Sequence, residues 1–316
     1  MTRRGFAVRF LAGASILAGV AVAASLAHAA PQRPGHSDPD EFRPEPLTPF
    51  ERELVRRTEG SGEVHMDEDH GPAPNNARGL RLRDSRVAIV GLSVRGRKYG
   101  ISLDGTRDVL IKNFRFLDRQ SNDRFGSGLI LGQQQGTRGE TWLSNAWIDL
   151  QEPGPEPDYN KANNEAISVE RNSGPLNIRR AVLLGGADAG IDNKGEVRMD
   201  ASFIASGHRP VRVWNGASVV MANSTVLSMP GFGGFWFGGG EGPARLEYYN
   251  CRFGRVGDSA SRLSDEIPEW MINKDGDDPV DVRIRRLGRD PFDRGPDSFW
   301  APTRTPIPRG FLSGRE

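Results

Sequence analysis

The chain has 316 residues and a formal charge of +1, and 42 basic against 41 acidic side chains exclude a general nucleic-acid binder, which needs a basic excess. A single cysteine, Cys251, excludes an intramolecular disulfide framework. With 36% hydrophobic residues, 39 glycines and 22 prolines, the composition points away from helical bundles and towards short strands joined by turns.

The first segment in chain order, residues 1–29, reads as an export signal. Arg3 and Arg4 precede an apolar stretch over 6–22, and Ala27-His28-Ala29 supplies the small residues of a cleavage site. The stretch is too short and too rich in glycine and alanine for a membrane span, so the expectation is an exported, periplasmic or extracellular protein without one. Thr2-Arg3-Arg4-Gly5-Phe6 is compatible with twin-arginine export, and the ordinary secretory route stays open. Cleavage after Ala29 removes Arg3, Arg4 and Arg9 and no acid, which turns the formal charge to −2.

Residues 30–78 read as a proline-rich, charged tether followed by a capping helix. Thr48-Pro49-Phe50-Glu51 is a capping box with proline at the first helical position, and it starts a short helix to about Arg57, expected as a lid on the first strand layer. Glu63, His65, Asp67, Glu68, Asp69 and His70 lack a fixed ligand spacing and read as a solvated charge run.

Over 79–257 one phrase recurs, an apolar–any–apolar triplet followed by a turn and a second apolar alternation. The triplets are Leu80-Arg81-Leu82, Ile101-Ser102-Leu103, Leu129-Ile130-Leu131, Ile167-Ser168-Val169, Ile191-Asp192-Asn193, Val211-Arg212-Val213 and Phe235-Trp236-Phe237. The second strands follow at 88–92, 109–116, 142–148, 176–183, 197–204, 219–226 and 246–253. A basic spacing of 20 to 24 residues with two strands per unit suits one coil of a solenoid. The predicted fold is therefore all-β, a single-stranded right-handed parallel β-helix, taken as a monomer. Residues 258–316 read as an irregular tail, with one possible strand at 280–284, that wraps the helix or closes its C-terminal end.

Two long insertions, 118–127 and 149–165, both follow the second strand of their coil and should wall one groove. The middle residues of successive triplets point outward, about 4.8 Å apart from coil to coil, and give the file Ser168, Asp192, Arg212 and Trp236. Gly238-Gly239-Gly240 is followed by no lysine and no helix signal, which argues against a phosphate loop.

Residues 163–223 resemble the pectate lyase-like branch of the β-helix superfamily. Asn164-Glu165-Ala166-Ile167-Ser168 looks like that family's acidic phrase opening a coil. Asp188-Ala189-Gly190-Ile191-Asp192 is similar to its Asp-Gly-x-Ile-Asp segment, which implies calcium held by Asp188 and Asp192. His208-Arg209-Pro210-Val211-Arg212, with Asn223 one strand later, resembles its arginine–proline–arginine segment, which implies that Arg209 and Arg212 abstract the proton and bind the substrate carboxylate. The aspartate of a further family phrase is missing at Ile178-Arg179-Arg180.

These residues point to an acidic polysaccharide as partner and to β-elimination as the reaction, with calcium or Arg212 neutralising the uronate. His208 is physically the easier base because its ordinary pKa lies near neutrality; Arg209 is the one the resemblance implies. Asp149 and Glu165 are candidates for substrate binding, and Trp214 and Trp236 for stacking on sugar rings, Trp236 being the better outward candidate. Hydrolysis by paired acids drawn from Asp149, Glu165, Asp188 and Asp192 stays open, as does a non-catalytic carbohydrate-binding or envelope protein. Asp192 and Arg212 also read as a plain surface ion pair, and His208 as a turn residue.

Overall fold

A strand with alternating apolar residues must bury one face, and this chain does so by returning to the same two sheets again and again. The computed structural model describes residues 41–73, 77–117, 125–150, 163–206, 208–229, 232–274 and 281–313. Among them, an eight-stranded parallel sheet contains, in chain order, Arg78–Arg83, Tyr99–Asp104, Phe125–Leu131, Asn163–Val169, Ala189–Asn193, Arg209–Trp214, Phe235–Gly238 and Ile272–Lys274. Its register sets Leu80, Ile101, Leu129, Ile167, Ile191, Val211, Phe235 and Ile272 in one continuous file. The seven triplets thus stack in the expected phase.

The second strands form a fourteen-stranded sheet, also parallel. Its long strands Arg107–Leu117, Thr141–Asp149 and Leu176–Gly185 each have a left-handed residue near the middle, Asn113, Asn145 and Arg180. Later in the chain Ala201, Asn223 and Asn250 take the same conformation where the path splits into two strands. Asparagine tolerates positive φ because its short amide finds local partners: the Asn145 amide donates to Asn113 Oδ1 at 2.8 Å, and that of Asn250 to Asn223 Oδ1 at 2.7 Å. Two stacked parallel sheets joined in this way are consistent with a β-helix.

Between the sheets runs one apolar core that includes Ile101, Phe114, Ile148, Ile178, Met199, Val226 and Phe235, all buried. Each such side chain contributes roughly 1.5–3 kcal/mol of burial free energy.

The fourteen-stranded sheet is apolar on its outer face too, and a helix and part of the C-terminal tail cover it. The helix Pro49–Glu59 has the expected capping box, with Glu51 N–H donating to Thr48 Oγ1 at 3.2 Å and Thr48 N–H to Glu51 Oε2 at 2.8 Å. It lies against the first strands of this sheet, Glu63–Met66, Arg86–Val90 and Arg107–Leu117. Its Leu54 and Val55 lie on Ala88, Val90 and Leu110, because alternation leaves those apolar residues pointing outward and in need of cover. Thr48→Ala should lower stability by about 1 kcal/mol in denaturant unfolding, the usual loss of an N-cap.

The C-terminal tail wraps the same sheet. Phe311 and Leu312 cluster with Leu117, Trp147, Val182, Leu184 and Phe203, and Arg294 pairs with buried Asp200 at 2.5 Å. The charge run before residue 79 is likewise part of the stack. Glu63–Met66 pairs with Arg86–Val90, Asp69–His70 pairs with Ser93–Arg95, and the Glu68 carboxylate bridges His65 and His70 at 2.7 and 2.8 Å. The Glu68 contacts are made within the run, whereas its backbone is paired by the next layer of the stack. The outer face of the eight-stranded sheet carries the groove described next, and no described tail residue lines it.

Candidate functional site

Strand register decides which side chains meet. Ser168 lies opposite Asp192, Asp192 opposite Arg212 and Arg212 opposite Trp236. The file continues the other way through Ile130, Ser102 and Arg81. Residues two positions apart share a face, so Glu170 follows Ser168, Lys194 follows Asp192 and Trp214 follows Arg212. Reading one residue per triplet missed Glu170 and Lys194, although the same alternation carries them.

A groove of about 680 Å³ runs over this face, lined by Tyr99, Phe125, Glu165, Asp192, Lys194, Arg212 and Trp214 among others. The bulk of both insertions, 118–124 and 151–162, lies outside the described residues. Their flanking residues Phe125, Ser127, Asn163 and Glu165 do line the groove.

Arg212 is the hub. Its guanidinium sits in the corner made by the Trp214 and Trp236 rings, 4.1 and 4.2 Å from their centroids, which meet edge to face. It reaches Asp188 Oδ2 at 3.4 Å and Asp192 Oδ1 at 3.7 Å. Arg209 also pairs with Asp188 and lies 5.3 Å from the Trp236 centroid. Asp192 accepts the Trp214 indole N–H at 2.6 Å, and its other oxygen is 3.2 Å from Lys194 Nζ. Lys194 also donates to Glu170 at 2.8 Å. Gly239 has φ +70, and a Cβ there would overlap the Trp214 ring, so glycine is what lets the indole lie flat over the backbone.

Two expectations need correction. The Asp192 and Arg212 pair is not a solvated surface bridge, since Asp192 is 3% exposed and Arg212 is covered by both indoles. Trp236 points away from the core as expected, yet it is only 8% exposed, because Arg209, Arg212 and Trp214 pack over it. It builds the site and offers no open platform to a sugar. Trp214, by contrast, lines the groove.

Asp149 and His208 stand apart from the groove lining. Asp149 ends its strand opposite Leu117 and Leu184 in the other sheet. The His208 ring packs edge-on against Phe232, with centroids 5.4 Å apart. Burial, with Arg209 and Arg212 adding to it, lowers its pKa to about 4 and keeps the imidazole neutral at neutral pH.

Glu165 is the most perturbed acid in the groove. Burial first, then the Asp192 and Asp188 carboxylates, raise its pKa well above the usual carboxylate range, and Lys194 and Arg212 only partly offset them. Burial also moves Asp188 upward despite its two arginines. Lys194 goes up as well: burial opposes its charge, but Asp192 and Glu170 together outweigh it.

The donor set around Asp188 and Asp192 does not fit calcium. A calcium site needs six to eight oxygen ligands, whereas these two carboxylates already hold Arg209, Arg212, Lys194 and an indole N–H. Among the described residues no three acidic, histidine or cysteine side chains gather as metal ligands. In the same residues no helix is long and apolar enough to cross a membrane.

Compared with known proteins, the chain matches no family model, no curated protein and no solved structure. Its function must be argued from the groove itself.

Proposed function

We propose that this chain is an exported, right-handed parallel β-helix protein that binds an acidic polysaccharide in the groove and hydrolyses a glycosidic bond there. Parallel crossovers are right-handed in about 98% of cases, which supports the handedness. The observation that carries the reaction is Glu165, an acid whose pKa is raised by burial and by the Asp192 and Asp188 carboxylates inside a groove that also contains Asp192.

Hydrolysis needs a proton for the leaving oxygen and a base for the attacking water. Glu165 supplies the proton. Asp192, oriented by the Trp214 indole and Lys194, takes the proton from water. From the register, the two residues are one strand and three positions apart, so their α-carbons are about 11 Å apart. Lys194 and Arg212 attract the uronate carboxylate, while Trp214 and Phe125 offer apolar faces to the sugar rings.

β-Elimination is the second reading. It is favoured by His208 being held neutral beside Arg209 and by the resemblance of 208–212 to the lyase segment. It is the weaker one because the groove lining does not include His208 and because Arg209 is committed to Asp188.

Polygalacturonate and alginate tell the readings apart. Hydrolysis should release reducing ends without absorbance at about 235 nm, the band of the conjugated uronate that elimination leaves, and a chelator should not change the rate. Product absorbing in that band would replace hydrolysis by elimination. Binding with no cleavage of any acidic polymer would leave a carbohydrate-binding protein.

A further inference from the structure

We infer that the groove continues, at its N-terminal end, into a separate anion-binding subsite built from Arg78, Arg81 and Arg83. The strand Arg78–Arg83 buries Leu82 and turns Arg81 and Arg83 to the outer face. The next strand, Tyr99–Asp104, brings a single acid, Asp104.

Among the described residues, the carboxylate that approaches these three arginines is that of Asp104. Arg81 and Arg83 both donate to the one amide oxygen Gln134 Oε1, at 2.8 and 2.6 Å. Asp104 Oδ2 is 3.9 Å from Arg81, and the other oxygen of Asp104 accepts the backbone N–H of Gln134. Arg78 lies over the Tyr99 ring at 4.6 Å, with Lys98 5.1 Å from the same ring, and donates to Ser102 and Gln133. Burial and then Arg81 lower the pKa of Arg78, which marks the repulsion. Two guanidiniums converging on one neutral oxygen keep further N–H donors, which a carboxylate or sulfate ester can accept.

This platform and the acid pair belong to one surface. Tyr99 and Gln133 line the groove, and Ser102 stands three strand steps from Asp192 in the same file, about 14 Å. A ligand reaching both is therefore an oligomer carrying anionic groups several sugar units from the bond at Glu165. The inference takes its polymer class from the function proposed above, but it concerns binding alone and is read without turnover.

The test is affinity electrophoresis of the full chain and of R81Q/R83Q in polygalacturonate, dextran sulfate and neutral dextran, with unfolding curves as a folding control. Both arginines are exposed, so the variant should fold normally. Losing one charge-assisted contact should weaken binding about tenfold. The expected result is that loss on at least one anionic polymer, with a shallower salt dependence and no change on dextran. A loss on polygalacturonate alone identifies carboxylates, and one on dextran sulfate alone identifies sulfate esters. Equal affinity of the two proteins for both polyanions would overturn the subsite, even if the wild type cleaves polysaccharide. Conversely, a tenfold loss in a chain that cleaves nothing upholds the subsite and removes the hydrolytic reading.

Discussion

Glu165→Gln should lower the turnover of an acidic polysaccharide by roughly 10²–10⁴-fold while leaving its affinity nearly unchanged. That is the range a positioned general acid contributes. Glutamine keeps the size and the hydrogen-bonding capacity of the side chain but has no proton to give. The pH dependence follows from the upward shift, which burial and the neighbouring carboxylates cause. The acid must be protonated, so wild-type activity falls as pH rises through the raised pKa, and the residual activity of the variant should lack that alkaline limb. Stability carries the same sign. The folded state holds its proton to higher pH than the unfolded chain does, so wild-type stability declines as pH rises from the ordinary carboxylate range through the folded value. The variant should not show this decline. Full turnover in the variant would remove Glu165 from the chemistry.

Lys112→Met should destabilise the fold by about 3–5 kcal/mol, measured by denaturant unfolding, without changing a residue of the groove. Lys112 is fully buried, 3.4 Å from the equally buried Glu51 of the helix and 3.4 Å from Glu45, and 3.3 Å from Ser144 Oγ. Methionine preserves most of the volume but leaves the Glu51 carboxylate in a desolvated place without its cation, which is the costly way to break a buried pair. Lys112→Met combined with Glu51→Gln should recover much of the loss, because no isolated charge remains. A single variant as stable as the wild type would mean that the helix is held by Leu54, Val55 and Phe50 alone.

The strands and their phase were legible because alternation is local. Leu80, Ile101, Leu129, Ile167, Ile191, Val211 and Phe235 repeat one phrase, and the same phrase aligned Ser168, Asp192, Arg212 and Trp236 on the opposite face. Glu165, Asp188, Arg209 and Trp214 were also legible as candidates, since they sit beside that file. The burial of the Asp192 and Arg212 pair was not. It follows from two indoles supplied by the strands Arg209–Trp214 and Phe235–Gly238, which close over one guanidinium. The helix was legible from its capping box, but not the place where it docks, which depends on apolar residues that three other strands turn outward.

By itself, then, the amino-acid sequence determined an all-β chain with parallel strands in a repeating order, and determined which side chains share a strand face, because a period of two needs only neighbours along the chain. Only the tertiary structure decided the state of those side chains. The direction in which Glu165 is shifted, the cations that Asp188 holds and the cover over Trp236 all depend on desolvation and charge. Those fields arise from groups far apart in the chain, brought together only when one layer is laid on the next.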